Sequence, residues 1–392
     1  MLKYCIGLDV SSNDFHACLS VIDRLQKVTV KGSSKFTNNA KGFSEFEVWL
    51  IKQHKQKEIP LVVVMEATGV YYENLALFLH LKGYNVSVVL PNKAKKYLQA
   101  TGLKSKNDSI DAQGLSRMGS EQALELWQPK DEYFYQLRSL TRQHQSLQEL
   151  KTNISNQLHA DQHGMYQNEV VTSQLKLLIK TINHQIEDIE NAIEDHLNKD
   201  KHVAELVVGI TKIKGLGALT VAVILAETNG FALFKNIPQL VGFAGYDVVE
   251  NQSGKHVGKT CISKKGNGHI RRCLHMPAFN VVRYEQTPFI QLFNRTFQKH
   301  GKKMKSYVAV QKKLLVLIFT LWKKEEAYEP IRINHSGDQE QTSSSLLSFP
   351  EAGETDTKQN SATQKATLHK VNILSNQSQH VSSLLPAKIN EN

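Results

Sequence analysis

Four acidic residues in the N-terminal third of the chain stand where their carboxylates could act together. Asp9 ends the apolar run "YCIGLD", and Glu66 ends a second apolar run, "LVVVME". Ligands of open α/β sheets bind at the carboxyl ends of the strands. Asp108 and Asp111 follow in "NDSIDAQGL", and their spacing of three residues places them on one face of a helix. We expect the four side chains to converge at one edge of a sheet.

Carboxylates that share a pocket repel one another, and a divalent cation relieves that repulsion. Magnesium prefers hard oxygen ligands, and two such ions can hold a phosphodiester and stabilise its oxygens. We therefore predict that the four acids bind two ions of Mg²⁺ or Mn²⁺. The plainer interpretation of Asp108 and Asp111 is a helix start that Asn107 caps, since early acids favour the positive end of the helix dipole. On the metal interpretation, Lys104 and Lys106 contact the phosphates that the metals hold.

The C-terminal half of the chain carries an unusual excess of positive charge. The whole chain has a formal net charge of +11, whereas the basic segment, residues 253–324, has sixteen Lys or Arg against one acid, Glu285. A one-sign field of this length favours phosphate binding. Besides Lys104 and Lys106, the predicted nucleic-acid contacts are Lys255, Lys264, Lys265, Arg271, Arg272, Lys302, Lys303 and Lys305.

A glycine turn and a serine add to this basic region. "ITKIKGLGALTVAVILAET" has the pattern of a helix-hairpin-helix, in which Gly215 and Gly217 let backbone N–H groups approach a phosphate. An ordinary turn between core helices is the alternative. Ser253 precedes Gly254 and Lys255 in a glycine-rich basic loop, where cations could face its hydroxyl. Ser263 in "CISKKG" is the competing nucleophile.

The elements that must position these residues fall into distinct regions. Three strand-like runs, then alternating helices and strands, predict a mixed α/β sheet of the ribonuclease H type over residues 1–125. Spaced apolar residues predict a helical hairpin or coiled coil over 126–203, which either packs within the chain or forms a dimer seam. Residues 204–330 are predicted to form a mainly α domain that carries the serine. The polar tail, 331–392, is predicted to be disordered.

Other classes of protein are disfavoured by the composition. No apolar run is long enough to span a bilayer, and "MLKYCIGLDV" lacks a signal-peptide layout, so we expect a cytoplasmic protein with no membrane partner. The four cysteines lack the spacing of a zinc site or a disulfide framework.

Five blocks of sequence, in order, resemble the insertion sequence 110 family of transposases, relatives of the pilin-gene inverting recombinases. The blocks are "GLDVSSND", "MEATGVYYENL", "LPNKAKKYLQATGLKSKNDSIDAQGLSRM", "IKGLGALTVAVILAE" and "QLVGFAGYDVVENQSGKHVGKTCISKKGNGHIRRCL". The resemblance covers roughly residues 4–325. It departs at Val248, near which many members have a proline.

The resemblance implies an N-terminal domain like RuvC, the Holliday-junction resolvase, with Asp9, Glu66, Asp108 and Asp111 as its Asp-Glu-Asp-Asp tetrad. It implies that Ser253, in the "QSG" block, attacks DNA. It further implies a non-coding bridging RNA that pairs with donor and target DNA, and a homo-oligomer, from dimer to tetramer.

We therefore expect a DNA recombinase of the transposase class, in which metal-bound carboxylates position a phosphodiester and Ser253 forms a phosphoserine link. A resolvase-like endonuclease that uses water is the first alternative, and a DNA invertase of the same family is the second. A non-enzymatic nucleic-acid packaging protein would need the basic segment alone.

Overall fold

The computed structural model describes residues 1–102, 107–250, 252–253, 256–258 and 261–329, and for residues 253, 256 and 257 it describes the backbone alone. Lys104, Lys106, Lys255 and the polar tail lie outside the described residues. None of the described helices is both long and apolar enough to cross a membrane.

A five-stranded sheet organises the N-terminal domain. Its elements, in chain order, are β1 (Lys3–Val10), β2 (Asp14–Ile22), β3 (Val28–Thr37), α1 (Ala40–Gln53), β4 (Leu61–Glu66), α2 (Glu73–Leu81), β5 (Asn85–Val89), α3 (Pro91–Ala100) and α4 (Asp108–Glu121). The strand order is β3-β2-β1-β4-β5. β1, β2 and β3 pair antiparallel, whereas β1–β4 and β4–β5 pair parallel. The mixed sheet predicted from the sequence is confirmed.

Both faces of the sheet are covered, which explains the continuous apolar runs of β1 and β4. On one face, Ile6, Leu8 and Met65 are fully buried with residues of α1 and α2. On the other face, Cys5 and Val64 pack against α3 and α4. Because side chains alternate along a strand, Asp9 and Glu66 share the face of Cys5 and Val64, which is the face that α4 covers.

Two long helices form the middle of the chain, α5 (Glu132–Gln162) and α6 (Glu169–Asn198). They pack on each other through Leu147, Ile154, Ile182 and Ile186. Leu137 and Ile193, at the other end of the pair, belong to the core of the C-terminal domain. The apolar stripes predicted from the sequence therefore serve packing within the chain, and the coiled-coil dimer seam stays a prediction.

The C-terminal domain is mainly helical. Its elements are α7 (Lys201–Thr211), α8 (Ala218–Thr228), α9 (Ile237–Ala244), β6 (Val248–Val249), β7 (Gln252–Ser253), β8 (His256–Val257), β9 (Cys261–Ile262), α10 (Gly268–Cys273), α11 (His275–Arg283), α12 (Thr287–His300) and α13 (Lys303–Lys324). One apolar core joins these helices to the ends of α5 and α6. The helix-hairpin-helix assignment for α7 and α8 stays a prediction.

Candidate active site and nucleic-acid interface

Glycines fix the position of α4 against the sheet. A Cβ atom at Gly7 would lie 2.1 Å from the Ala112 carbonyl oxygen and 2.2 Å from the Ser116 nitrogen. A Cβ at Gly119 would lie 2.3 Å from Cys5 Sγ. The helix therefore lies directly on β1, and it runs antiparallel to that strand.

The contact between Gly7 and α4 also determines where the start of α4 lies along β1. Asp9 lies two residues beyond Gly7, about 7 Å along the strand. Along α4, about 7 Å corresponds to between four and five residues, since each residue of a helix rises about 1.5 Å. Counting that many residues back from the Ala112–Ser116 contact leads to the first turn of α4, which holds Asp108 and Asp111. The start of α4 therefore lies at the carboxyl edge of β1.

The register of the sheet brings Glu66 to the same edge. Leu8 pairs with Met65 in the parallel ladder of β1 and β4, so the next residues, Asp9 and Glu66, are neighbours at the strand ends. Both side chains are half-buried. Asn107 caps α4, because its side chain accepts a hydrogen bond from the Ile110 nitrogen at 2.8 Å.

The donor chemistry at this edge suits a hard divalent cation, since four carboxylates come from three separate elements. Among the residues that the structure describes, however, no group of three or more His, Cys, Asp or Glu side chains lies close enough to hold a metal ion. The backbone thus brings the four acids to one edge and one face, and the side chains are not gathered into a ligand set. Asp111 is half-buried and Asp108 is exposed.

Ser253 lies in two short antiparallel ladders of the C-terminal domain, which we call the serine hairpin; its described residues are 247–250, 252–253, 256–258 and 261–263. Its outer ladder pairs Val248 with Ile262. Its inner ladder pairs Ser253 with His256, which places Ser253 at the end of β7. The side chain of Ser253 is outside the described atoms.

The stem of the serine hairpin is held closely. Tyr246, just before it, is buried and donates its hydroxyl hydrogen bond to Gln311 of α13 at 3.0 Å. Just after it, the Asn267 nitrogen donates to the Phe243 carbonyl at 2.7 Å. A Cβ at Gly266 would lie 2.4 Å from that carbonyl oxygen. Neither end of the hairpin can shift without breaking these contacts.

Ser263 has a different environment from the one expected of a loop serine. Its hydroxyl donates to Asp247 Oδ1 at 2.5 Å, and its nitrogen donates to the Asp247 carbonyl at 2.8 Å. The Lys265 nitrogen donates to the Ser263 hydroxyl at 3.3 Å. A serine beside a carboxylate could act as a nucleophile. The backbone bond across the same pair also gives Ser263 a role in closing the stem.

No role was predicted for Glu227 from the sequence, although a single acid in the apolar helix "LTVAVILAET" was a signal. The side chain of Glu227 accepts two hydrogen bonds from Arg142, at 2.8 and 3.1 Å, and one from Asn267 at 2.6 Å. Arg138 lies 3.6 Å away. Burial raises the pKa of this carboxyl, but the hydrogen bonds and the arginine charges outweigh burial and hold the pKa below its usual value. Glu227 thus ties α5 to Asn267, the residue that caps α10.

The cations of the basic segment are largely left without acidic partners. Within its described residues, only Arg272 among the Lys and Arg forms an ion pair, with Glu149 of α5. Lys302, Lys303 and Lys305 are all exposed at the start of α13. Burial lowers the pKa of Lys313, and the nearby positive charge of Arg295 lowers it further. The described part of the segment is therefore strongly positive, and its one acid, Glu285, forms no ion pair with a described residue.

Two predicted contacts have other tasks in the fold. Arg271 donates to the Ala244 carbonyl at 2.7 Å and to the Asn267 carbonyl at 3.3 Å.

Gly215 has a φ of +99°, and a Cβ there would lie 2.8 Å from the Asn280 Cβ, so packing against α11 requires the glycine. Nothing lies within 4 Å of a Cβ at Gly217. Lys264 and Lys265 are exposed. Nucleic-acid binding by these residues stays a prediction.

Comparison with known proteins places the two regions in one family. The DEDD transposase domain of the IS110 type matches residues 6–165, and a second domain, described as "Transposase IS116/IS110/IS902 family", matches residues 209–293. Together these matches cover more than half of the chain, including all four acids and Ser253.

Full-length relatives agree with the domain matches. A pilin gene-inverting protein of Moraxella bovis is 28% identical over 333 residues, which are 84% of this chain and 98% of the relative. A transposase for insertion sequence element IS1111A of Coxiella burnetii is 23% identical over 291 residues, 68% of this chain and 79% of the relative. A structure of T. thermophilus RuvC in complex with a Holliday junction substrate has a TM-score of 0.24 and 12% identity, covering 30% of this chain and 97% of that one. This chain belongs to the IS110 family of transposases.

Proposed function

We propose that this transposase exchanges DNA strands through a covalent serine–phosphate intermediate. Asp9, Glu66, Asp108 and Asp111 hold divalent ions, and Ser253 is the nucleophile. The observation that carries the proposal is the seating of α4 on β1 at Gly7, which brings two acids of the helix to the edge where Asp9 and Glu66 end their strands. Structural packing alone gives no reason for four acids at one edge.

The chain's own residues supply a balanced reaction. Ser253 loses its hydroxyl proton as its oxygen bonds to phosphorus, and the bond from phosphorus to the leaving DNA oxygen breaks, so that this oxygen takes up a proton. The hydroxyl of a second DNA strand then loses its proton and bonds to the same phosphorus, and the serine oxygen leaves and regains a proton. One phosphodiester is lost and one is formed, so no high-energy cofactor is consumed. Mg²⁺ or Mn²⁺, two ions per site, would stabilise the charge on the phosphate oxygens when bound.

Positive side chains would hold the substrate in place. Lys264 and Lys265 follow the serine hairpin directly, and Lys302, Lys303 and Lys305 are exposed in the same basic segment. The proposed partners are donor and target DNA and a bridging RNA. A homo-oligomer, from dimer to tetramer, would bring several copies to both DNA sites.

DNA inversion is a second candidate for the biological outcome. It is favoured by the match to the pilin gene-inverting protein, which extends over 98% of that relative. Inversion and transposition use the same strand chemistry and differ in the arrangement of the two DNA sites. Both outcomes need the covalent step.

Trapping the covalent step tests the proposal. The full chain is mixed with labelled DNA, bridging RNA and Mg²⁺, and the products are separated by denaturing electrophoresis and mapped by peptide analysis. We expect a protein–DNA adduct at Ser253, which Ser253→Ala removes while nucleic-acid binding is retained. Ser263→Ala is the matched control, because it lies on the same hairpin, and it should keep the adduct.

Two results would contradict the proposal. An adduct that maps to Ser263 would transfer the role to the serine beside Asp247. Strand cleavage by Ser253→Ala without any adduct would favour the resolvase-like use of water.

A further inference from the structure

An aromatic cluster lies on the surface of the basic segment, between α11, α12 and α13. Phe279 and Tyr307 stack with ring centroids 3.7 Å apart and planes at 17°. Phe293 continues the row at 4.7 Å from Tyr307, and Phe297 follows at 6.2 Å from Phe293. His275 closes the other end, 5.0 Å from Phe279. Five rings from three helices thus form one row.

The row differs from the aromatic core of the N-terminal domain. There, Phe15 and Phe46 are fully buried. In the row, Phe279, Phe293 and Tyr307 are half-buried, and His275 and Phe297 are exposed. Phe289, also on α12, is fully buried in the C-terminal core, and Phe293 and Tyr307 pack against that core with part of their surface. Core packing therefore accounts in part for Phe293 and Tyr307, but it does not account for the exposed rings of Phe297 and His275.

Cations stand one helical turn from the stacked pair. Arg283 lies four residues after Phe279 on α11, and Lys303 lies four residues before Tyr307 on α13, so each shares a helix face with its ring. Both are exposed, and neither forms an ion pair with any described residue. No described residue hydrogen-bonds to the Tyr307 hydroxyl. The row thus combines ring surface with positive charge that has no acidic partner among those residues.

We propose that this aromatic row binds unpaired bases of single-stranded DNA. Stacked rings beside a positive groove are how proteins hold single strands without sequence preference, because every base has a flat π face. The exposed cations Arg283 and Lys303 favour a polyanion over an uncharged apolar partner, and a duplex keeps its base faces covered by stacking. DNA is favoured over RNA because strands must leave the duplex during strand exchange, and the chain is a transposase. The inference deepens the proposed function, and its claim concerns binding and not the covalent step.

The test measures binding of the full chain to an oligothymidylate of about 15 nucleotides, to a duplex of equal length and to oligouridylate. Replacing Phe297 and Tyr307 together by Leu should weaken oligothymidylate binding by about tenfold or more, because one or two bases then have no ring to stack on. Duplex affinity and the salt slope should stay unchanged, because all cations remain. The variant with Phe297→Tyr and Tyr307→Phe keeps the rings and should bind normally.

Tyr166→Leu is the matched control, because that ring is 88% exposed but lies outside the basic segment. If the double variant fails to fold, the exposed Phe297→Leu alone carries the test, with an expected weakening of at least about threefold. Photocrosslinking with 5-iodouracil in the oligonucleotide should map to Phe297 or Tyr307.

Unchanged oligothymidylate binding, or an equal loss on the duplex, would overturn the proposal. Loss of oligouridylate binding alone would overturn it in favour of RNA. None of these binding results depends on catalysis, so they can be interpreted even if no adduct forms at Ser253. If the aromatic row does not bind single-stranded DNA, the covalent step can still be tested separately.

Discussion

The N-terminal and C-terminal domains differ in how many of their basic side chains are paired with acids. Among the described residues of the N-terminal domain, four basic side chains form ion pairs, including Lys35–Asp14 at 2.8 Å and Lys82–Glu47 at 3.1 Å. In the described part of the basic segment, one cation, Arg272, has such a partner. A protein that needed only stability would mix the two signs on both surfaces. The contrast fits a division of labour, in which the backbone brings four acids to one sheet edge and most described cations of the basic segment have no acidic partner.

The largest effect is expected from replacing one of the four acids at the sheet edge of the N-terminal domain. Asp111→Asn should lower the rate of strand transfer by more than about a hundredfold. Replacing a residue that only hydrogen-bonds to a metal ligand typically lowers activity by about 10- to 100-fold, and the loss of a direct ligand should be larger. Stability should change little, since removing one of several like charges relieves repulsion. Strand transfer in Mg²⁺ and thermal unfolding are the measurements.

Asp14→Asn is the control for that variant, because it removes an acid from the same domain that is paired with Lys35. It should retain strand transfer. Wild-type rates for Asp111→Asn would show that the four-acid site is wrong.

A second prediction concerns the one acid that is buried among the described residues of the C-terminal domain. Glu227→Ala should lower the free energy of unfolding by about 3–5 kcal/mol, because it leaves Arg142 and Arg138 without their buried partner. Glu205→Ala removes an exposed pair with Lys201 at 3.9 Å and should cost less than about 1 kcal/mol. Urea unfolding of both variants measures the two losses. Equal losses of unfolding free energy would show that the buried contact of Glu227 with the two arginines is not a major source of stability.

The same carboxyl predicts a dependence on pH. The folded-state pKa of Glu227 is lowered, so its stabilisation is complete above the unfolded pKa of about 4.3 and is lost as the pH falls toward the folded value. Urea unfolding near neutrality and near pH 4 should show the wild-type protein losing more stability than Glu227→Gln. Parallel losses would contradict this assignment.

A smaller effect tests how the acids are brought together. Gly7→Ala forces a Cβ into backbone atoms of α4 and should cost about 1–3 kcal/mol of unfolding free energy, with loss of strand transfer as the helix shifts. At Gly32, on β3, the nearest atoms to a Cβ are 3.7 Å away, so Gly32→Ala should be tolerated. Full activity in Gly7→Ala would separate the position of α4 from catalysis.

The smallest effect is expected from replacing exposed lysines of the basic segment. Replacing Lys302, Lys303 and Lys305 by Gln should reduce the slope of log affinity against log salt on duplex DNA by about 0.9 for each phosphate that the protein no longer neutralises. A matched triple replacement of Lys52, Lys55 and Lys57, in the last turn of α1 and the loop before β4, should leave the slope unchanged. Equal slopes for the two triple variants would remove α13 from the interface.

The sheet could be predicted from the sequence because apolar runs and turns reflect local alternation of buried and exposed positions. The cap at Asn107 was predictable for the same local reason. The seating of α4 was not, although a glycine within "CIGLD" was a signal, because the neighbour of Gly7 is more than a hundred residues away. The role of Arg271 was not predictable either, because its shorter hydrogen bond goes to the Ala244 carbonyl, 27 residues earlier in the chain. The sequence of a basic segment does not distinguish an arginine that binds phosphate from one that binds the backbone.

The most direct test of the central claim asks whether one ion is held by all three elements. Fe²⁺ with ascorbate and peroxide cuts the backbone beside a bound ion, and mass spectrometry maps the cuts. We predict cuts at three separate stretches, near Asp9, near Glu66 and at the start of α4, and all three should disappear together in Asp9→Asn and persist in Asp14→Asn. Cuts confined to one stretch, or cuts near Glu66 and α4 that survive Asp9→Asn, would contradict a shared metal site.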